Sequence, residues 1–298
     1  MTGGGDSPID PRLAVIVGVL FVSTSAILIR LSTAPPLAIA VHRMAFAAVL
    51  TVPRFLRRGA RQVLTLSRRE LGLALLSGLF LALHFASWIS SLFLTSVASA
   101  TVLVNLHPII VVLLGVALLG ERITAKGLFW VLVSVAGSAV LALGGTTVGD
   151  SATAGNLLAI GGAIAVSGYM LIGRRLRQRI DTGLYTLLVY GSSAVLLLLW
   201  CRAAGVDLGP YSGREYLLFA LLAIFPTILG HSVFNWALKY VRASFVATSV
   251  LGEPVFATIL AVFFFAELPT VWTLVGGAMI LVGIYAFTRR EADARARG

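Results

Sequence analysis

The chain has 298 residues, 58% of them hydrophobic and 12% charged, with a mean hydropathy of +0.97. A soluble domain carries about a quarter charged residues, so this much apolar surface excludes a water-soluble globule. The net charge of +11 lies almost wholly in short links between apolar runs, with no basic stripe and no nucleic-acid motif, which excludes nucleic acid as a partner.

A helix crossing roughly 30 Å of hydrocarbon needs about 20 mostly apolar residues. Ten such runs follow one another: 12–31, 36–56, 70–94, 97–119, 125–144, 153–172, 183–202, 214–238, 243–265 and 270–288, numbered runs 1 to 10 below. Lipid offers backbone groups no hydrogen bonds, so each run is expected to be a helix. Residues 1–10 are short, acidic and Gly-rich, unlike the positive start of a signal peptide. Run 1 then leads through Pro35-Pro36 into run 2, so it is expected to be a retained helix. The single cysteine, Cys201, excludes an intrachain disulfide.

With the N-terminus inside, the inner links and tails hold nineteen basic residues: Arg12, six arginines of 54–69, Arg122, Lys126, four of 174–179, Lys239, Arg242 and four of 289–297. The outer links hold three, Arg30, Arg202 and Arg214, and Arg43 lies within run 2. That bias predicts cytoplasmic termini. It also places Cys201 outside, where an impermeant maleimide is expected to reach it.

The runs repeat. Pro108, Glu121 and Gly137 recur as Pro254, Glu267 and Gly283, each 146 residues later. Ser23 and Arg30 of run 1 match Ser167 and Arg174 of run 6 at an offset of 144, and His84 and Trp88 of run 3 match His231 and Asn235 of run 8 at 147. Five runs cross a membrane an odd number of times, so the second copy is expected to be inverted. Inverted repeats broken at matching places are a transporter architecture.

Pro108 with Leu119-Gly120-Glu121-Arg122 and Gly137, repeated as Pro254 with Ala266-Glu267-Leu268 and Gly283, resembles the EamA unit of the drug/metabolite transporter superfamily. Arg43, midway in run 2, is also typical of the first unit. The resemblance spans about residues 12–288. It implies a ten-helix exporter with a central cavity between the halves and alternating access. Members export amino acids and related metabolites, and one branch exports aromatic amino acids. The second repeat has no arginine matching Arg43.

Candidate site residues follow from depth and spacing. Pro108 and Pro254 lie near mid-membrane, where a proline removes one N–H and frees a carbonyl four residues back, near Val104 and Val250. They are read as hinges. All four histidines, His42, His84, His107 and His231, fall inside runs, where ionisable groups usually face a cavity or a partner. The matched pair His84 and His231 is read as cavity lining. His42 and His107 read at least as well as neutral histidines bonded to a neighbouring helix.

Four-residue spacing puts His84 with Trp88, and His231 with Asn235, on single helix faces. Donors, acceptors and an indole plate suit an amino-acid zwitterion with an apolar side chain, and Ser23 and Ser167 could join them, although such serines often bond their own helix. Glu253 sits beside Pro254, where an acidic side chain costs about 2.5–3.5 kcal/mol to insert. At about 1.5 Å per residue, Arg43 lies roughly 10 Å and Glu253 roughly 15 Å below the outer surface, so the two could pair. Glu253, Arg43 and His107 are the candidates for coupling or an ion pair. Glu121 and Glu267 are read as fold markers beside the positive end of the next helix.

The expected fold is an all-α integral membrane protein of ten transmembrane helices, built as two inverted five-helix repeats around a central cavity. Residues 1–144 form the first repeat, 153–288 the second, and 289–298 a basic cytoplasmic tail. The expected function is secondary export of small metabolites, amino acids including aromatic or large apolar ones, across a bacterial inner membrane. Its partners are a small-molecule substrate and the lipid bilayer. Without a Walker A sequence or metal-ligand spacing, neither a cofactor nor an enzyme activity is expected. Rival readings are an antiporter of phosphorylated metabolites or nucleotide sugars, an intramembrane enzyme and a small-solute channel. A phosphate site should hold paired Lys or Arg, and here only Arg43 is embedded in a run.

Overall fold

A computed structural model describes residues 9–95, 100, 103–121, 123–142, 152–265 and 268–296, and every regular element among them is helical. Eight helices are long and apolar enough to cross a membrane: Pro11–Arg30, Pro36–Thr65, Arg68–Leu94, Thr153–Leu176, Thr182–Ala203, Gly213–Ala237, Ala243–Phe264 and Val271–Arg289. Runs 4 and 5 contain the shorter apolar helices His107–Leu119 and Ala125–Leu141. Glu267 lies outside the described residues.

Several runs are broken, each at a residue that disturbs the hydrogen-bond ladder. Run 1 divides into α1 (Pro11–Val22) and α2 (Thr24–Leu31) at Ser23, whose hydroxyl donates to the Val19 carbonyl at 2.7 Å. Such back-bonding bends helices. In α3 (Pro36–Arg54), Pro53 lacks an N–H to donate, and the backbone loosens to a π turn at Phe55–Gly59 and then tightens to a 3₁₀ turn at Ala60–Thr65. A Ser67/Glu70 capping box starts α4 (Arg68–Leu94). Run 8 opens with α9 (Gly213–Leu222), widens into a π segment at Ala223–His231 around Pro226, and closes with α10 (Ser232–Ala237).

The matched prolines do more than kink. Pro108 occupies the first turn of α5 (His107–Leu119), and Pro254 that of α12 (Glu253–Phe265), so each starts a new helix where its missing N–H is no loss. Before Pro254, run 9 forms α11 (Ala243–Val250). The remaining helices are α6 (Ala125–Ala142), α7 (Ala152–Leu176), α8 (Thr182–Ala203) and α13 (Val271–Ala296).

The packing follows a rule of five. Helix α4 of run 3 packs on α7 of run 6, while the π segment of run 8 packs on α1 of run 1. Helix α4 also packs on α8 of run 7, and the π segment on α3 of run 2. The pairs α6·α13, α3·α8 and α5·α11 each join runs five apart. Exchanging every run with its partner five away returns these same contacts.

At α6·α13 the correspondence reaches individual residues. Gly137 lies against Gly276 and Ile280, and Gly283 against Trp130 and Ser134, the same pairs displaced by 146. Partner numbers fall as α6 numbers rise, so the two helices run antiparallel, with glycines allowing backbone-to-backbone approach.

Outside this core the helices remain apolar. On α1, Val15 and Val19 are buried while Leu13, Ile16, Val17 and Leu20 are exposed, and Phe263 is 80% exposed. An all-round apolar helix suits a lipid surround. Cys201, expected to be accessible, is fully buried: it ends α8 on the inward side of that helix. An impermeant maleimide is therefore not expected to label it in the folded protein.

A Cβ on Gly276 would sit 2.3 Å from the Leu141 backbone nitrogen and 2.5 Å from the Gly137 carbonyl oxygen, with no flexible side chain to yield. Gly276→Ala is expected to destabilise by about 1–3 kcal/mol through overpacking. Gly161→Ala, whose Cβ meets only Ser87 Oγ at 4.0 Å, should be near neutral. Melting curves in detergent compare the two.

Candidate functional site

Arg43 lies two turns into α3 with no exposed surface. Its Nε donates to Thr227 Oγ1 at 2.8 Å and its Nη1 to Ser25 Oγ at 3.0 Å. The guanidinium carbon sits 4.2 Å from the Phe85 ring centroid, a cation–π contact. Its Nη2 has no partner. Thr227 reaches Arg43 because the π segment turns it inward, and its hydroxyl donates to the Leu222 carbonyl at 2.9 Å, a five-residue step. The wide turn at Pro226 thus builds the arginine's acceptor, in keeping with the frequency of π segments at functional positions.

His231, the last residue of that segment, packs against Phe85 as well, with ring centroids 5.5 Å apart, and its Nδ1 has no partner. One turn on, Asn235 Nδ2 donates to Tyr169 Oη at 2.6 Å and to Tyr190 Oη at 3.4 Å, leaving Oδ1 without a partner. Tyr169 and Tyr190 are fully buried. Runs 2, 3, 6, 7 and 8 therefore meet around one polar cluster.

His84 and Trp88 share a face, as the spacing predicts, with rings stacked at 6.1 Å and 3° between planes. His84 Nδ1 bonds the Gly162 carbonyl at 3.0 Å, so that nitrogen carries the proton. Trp88 Nε1 has no partner. The matched histidines thus differ: His84 is tied to a neighbouring helix, whereas the equivalent nitrogen of His231 is not. His107 Nδ1 bonds the Val104 carbonyl at 3.0 Å, which occupies the carbonyl freed by Pro108, and its Nε2 has no partner. Phe85 joins three groups of this cluster, with its ring centroid 5.0 Å from that of His84, 5.5 Å from that of His231 and 4.2 Å from the Arg43 guanidinium carbon.

Other sequence candidates fall differently. His42 bonds the Ala38 carbonyl of its own helix and stacks on Phe219 at 4.6 Å, beside Tyr211 and Tyr216 near the loop before α9. Ser23 and Ser167 are fully buried; Ser23 donates to the Val19 carbonyl of its own helix, and Ser167 donates to Ala163 at 2.7 Å and reaches the His107 carbonyl of α5 at 3.3 Å.

Glu253 is half-buried at the start of α12. It does not form an ion pair with Arg43: among the described residues the ion pairs are Arg179–Glu70 and Arg214–Glu215. Thr227 and Ser25 already take two of the Arg43 nitrogens. Glu121 is a second correction. Its carboxylate accepts from Ala243 N at 2.9 Å and Ser244 Oγ at 2.6 Å, capping α11 rather than the next helix. Gly120, at φ 64°, makes the turn that aims it there.

The profile of the EamA-like transporter family matches residues 12–143 and again 153–289. The chain belongs to the EamA-like transporter family. It is therefore a multi-pass membrane protein, and members of this family are transporters, not enzymes. One relative, a probable terminal-alkyne amino-acid exporter of Streptantibioticus cattleyicolor, is 25% identical over 66% of this chain and 66% of its own. Another, the pseudopaline exporter CntI of Pseudomonas aeruginosa, is 23% identical over 94% of this chain and 95% of its own. A crystal structure of a further protein, 23% identical, covers 95% of this chain and 98% of that one with a TM-score of 0.80, a likeness of fold.

Thr227→Val removes the acceptor of a buried charged donor. It is expected to lower stability by about 1–3 kcal/mol, seen as a lower melting temperature in detergent. A melting temperature equal to the wild type's would mean that Thr227 does not hold Arg43.

Proposed function

We propose that this EamA-like protein is a secondary transporter that exports small metabolites, amino acids including aromatic or large apolar ones, from a bacterial cytoplasm. The observation that carries the reading is a group of buried polar atoms without partners, five of the seven among the described residues: Arg43 Nη2, Trp88 Nε1, His107 Nε2, His231 Nδ1 and Asn235 Oδ1, the other two being Arg177 Nη1 and Ser193 Oγ. Native interiors satisfy nearly all buried polar groups, and exceptions mark sites that receive something else. Donors and acceptors interleaved with Phe85, Trp88 and Tyr169 suit an amino acid with an apolar side chain. The names of two exporter relatives, one for an amino acid, agree in kind.

In this reading the chain forms ten transmembrane helices as two inverted five-helix repeats, 1–144 and 153–288, around a central cavity. Three observations support it: the family profile matches twice, the packing survives exchange of runs five apart, and α6 and α13 cross antiparallel at an offset of 146. His84, Trp88, His231 and Asn235 form the binding surface, with Ser23 and Ser167 behind it.

The breaks at Pro108 and Pro254 are the hinges, because each proline sits in the first turn of a helix that starts within its run, α5 and α12. Rocking of the halves about these breaks opens the site to one side at a time. A substrate that satisfies the orphaned atoms stabilises the closed intermediate and so lets the exchange proceed. Both termini lie in the cytoplasm, at the inner membrane. Arg43 as the basic side chain of the cluster disfavours a phosphorylated substrate.

Reconstituted protein should take up labelled phenylalanine or tryptophan saturably, and accumulated substrate on the far side should accelerate uptake. Absence of transport for every amino acid by folded protein would contradict the reading. For orientation, Ala204→Cys in a Cys201→Ser background puts a thiol at an exposed position just past α8. It should react with an impermeant maleimide on intact cells, and labelling only after permeabilisation would reverse the topology.

A further inference from the structure

We propose that Arg43 Nη2 anchors the carboxylate of the transported molecule and Glu253 receives its ammonium, so that the site selects zwitterionic α-amino acids over amines, carboxylic acids and phosphorylated metabolites. This rests on the exporter reading and assigns each charged end of the substrate to a residue.

Arg43 is a buried basic group and Glu253 a half-buried acidic one, and the two make no ion pair with each other. Arg43 is wholly buried, and the two oxygens that hold it, Thr227 Oγ1 and Ser25 Oγ, are neutral. A guanidinium kept from water and left without a carboxylate is unfavourable unless the arrangement serves a ligand. Its third nitrogen, Nη2, has no partner. The Phe85 ring covers one face of the guanidinium, so a ligand approaches along the edge, the direction in which guanidinium groups meet carboxylates.

Glu253 is the counterpart on the other half of the molecule. It opens α12 at the break in run 9 and keeps some exposed surface, and α12 packs on α2, the helix that supplies Ser25 to Arg43. A zwitterion placed between them pairs its carboxylate with the guanidinium and its ammonium with the Glu253 carboxylate, and adds no net charge to the interior. An amine leaves Arg43 without its anion, and a carboxylic acid leaves Glu253 without its cation. A phosphate carries more negative charge than one arginine balances. Binding also ties α3 of the first half to α12 at the second half's hinge, so the ligand that fits the charges is the one that bridges the moving parts.

The test is competition in wild-type proteoliposomes loaded for uptake of whichever labelled aromatic amino acid moves fastest. Unlabelled phenylalanine should compete, whereas phenylethylamine and 3-phenylpropionate should each be at least tenfold weaker. Glu253→Gln, nearly isosteric, should weaken phenylalanine about tenfold while leaving 3-phenylpropionate unchanged. Arg43→Lys should weaken both phenylalanine and 3-phenylpropionate. If phenylethylamine competes as well as phenylalanine against an amino acid that is transported, the anchor is refuted while the exporter reading stands. If no amino acid moves at all, both fall together. The wild-type comparison decides even where a variant folds poorly.

Discussion

Arg43 has no exposed surface, and in a protein surrounded by lipid a charge so placed must be met by the protein's own groups. The interior is arranged around that requirement. Ser25 comes from the bent first run, Thr227 from a π segment in the eighth, and Phe85 from the third. The bend in run 1 and the π segment in run 8 each weaken their own helix, yet each delivers a contact to the same guanidinium. Because Thr227 lies in the second family match and Arg43 in the first, the arginine also joins the two halves of the sequence.

The halves are alike in plan and unlike in detail, and the difference falls where chemistry is expected. His84 and His231 occupy matching positions, but the π segment shifts the register of run 8. His84 bonds the Gly162 carbonyl, while His231 Nδ1 stays without a partner beside Phe85. Arg43 has no counterpart in the second half. Helices that only pack, such as α6 and α13, keep the pairing residue by residue, with glycines in both. Symmetry is retained where backbones touch at α6 and α13 and abandoned in the polar cluster around Arg43.

Much of this was legible in the chain, because apolar length and proline position act locally. The helix positions followed from twenty-residue runs, the breaks at Pro108 and Pro254 from missing N–H groups, and the His84–Trp88 stack from four-residue spacing. Contacts between distant segments were not legible. Glu121 caps α11, 122 residues away, and local sequence suggested only the next helix. Cys201 was placed by its distance from a run's end, whereas its burial depends on which side of α8 faces the bundle. Ser25, Thr227, Tyr169 and Tyr190 were missed. Pro226 was the available signal for Thr227, and polar residues two positions beyond Ser23 and Ser167 were the signal for Ser25 and Tyr169.

The central claim is that the cluster around Arg43 is where substrate binds. Trp88 reports on it directly, since its indole nitrogen is one of the unpartnered atoms. With Trp130, Trp200, Trp236 and Trp272 changed to phenylalanine, fluorescence would come from Trp88 alone. Titration with phenylalanine should change that emission saturably, with a midpoint matching half-saturation of transport. Active transport with Trp88 emission unmoved at saturating substrate would place the binding site elsewhere.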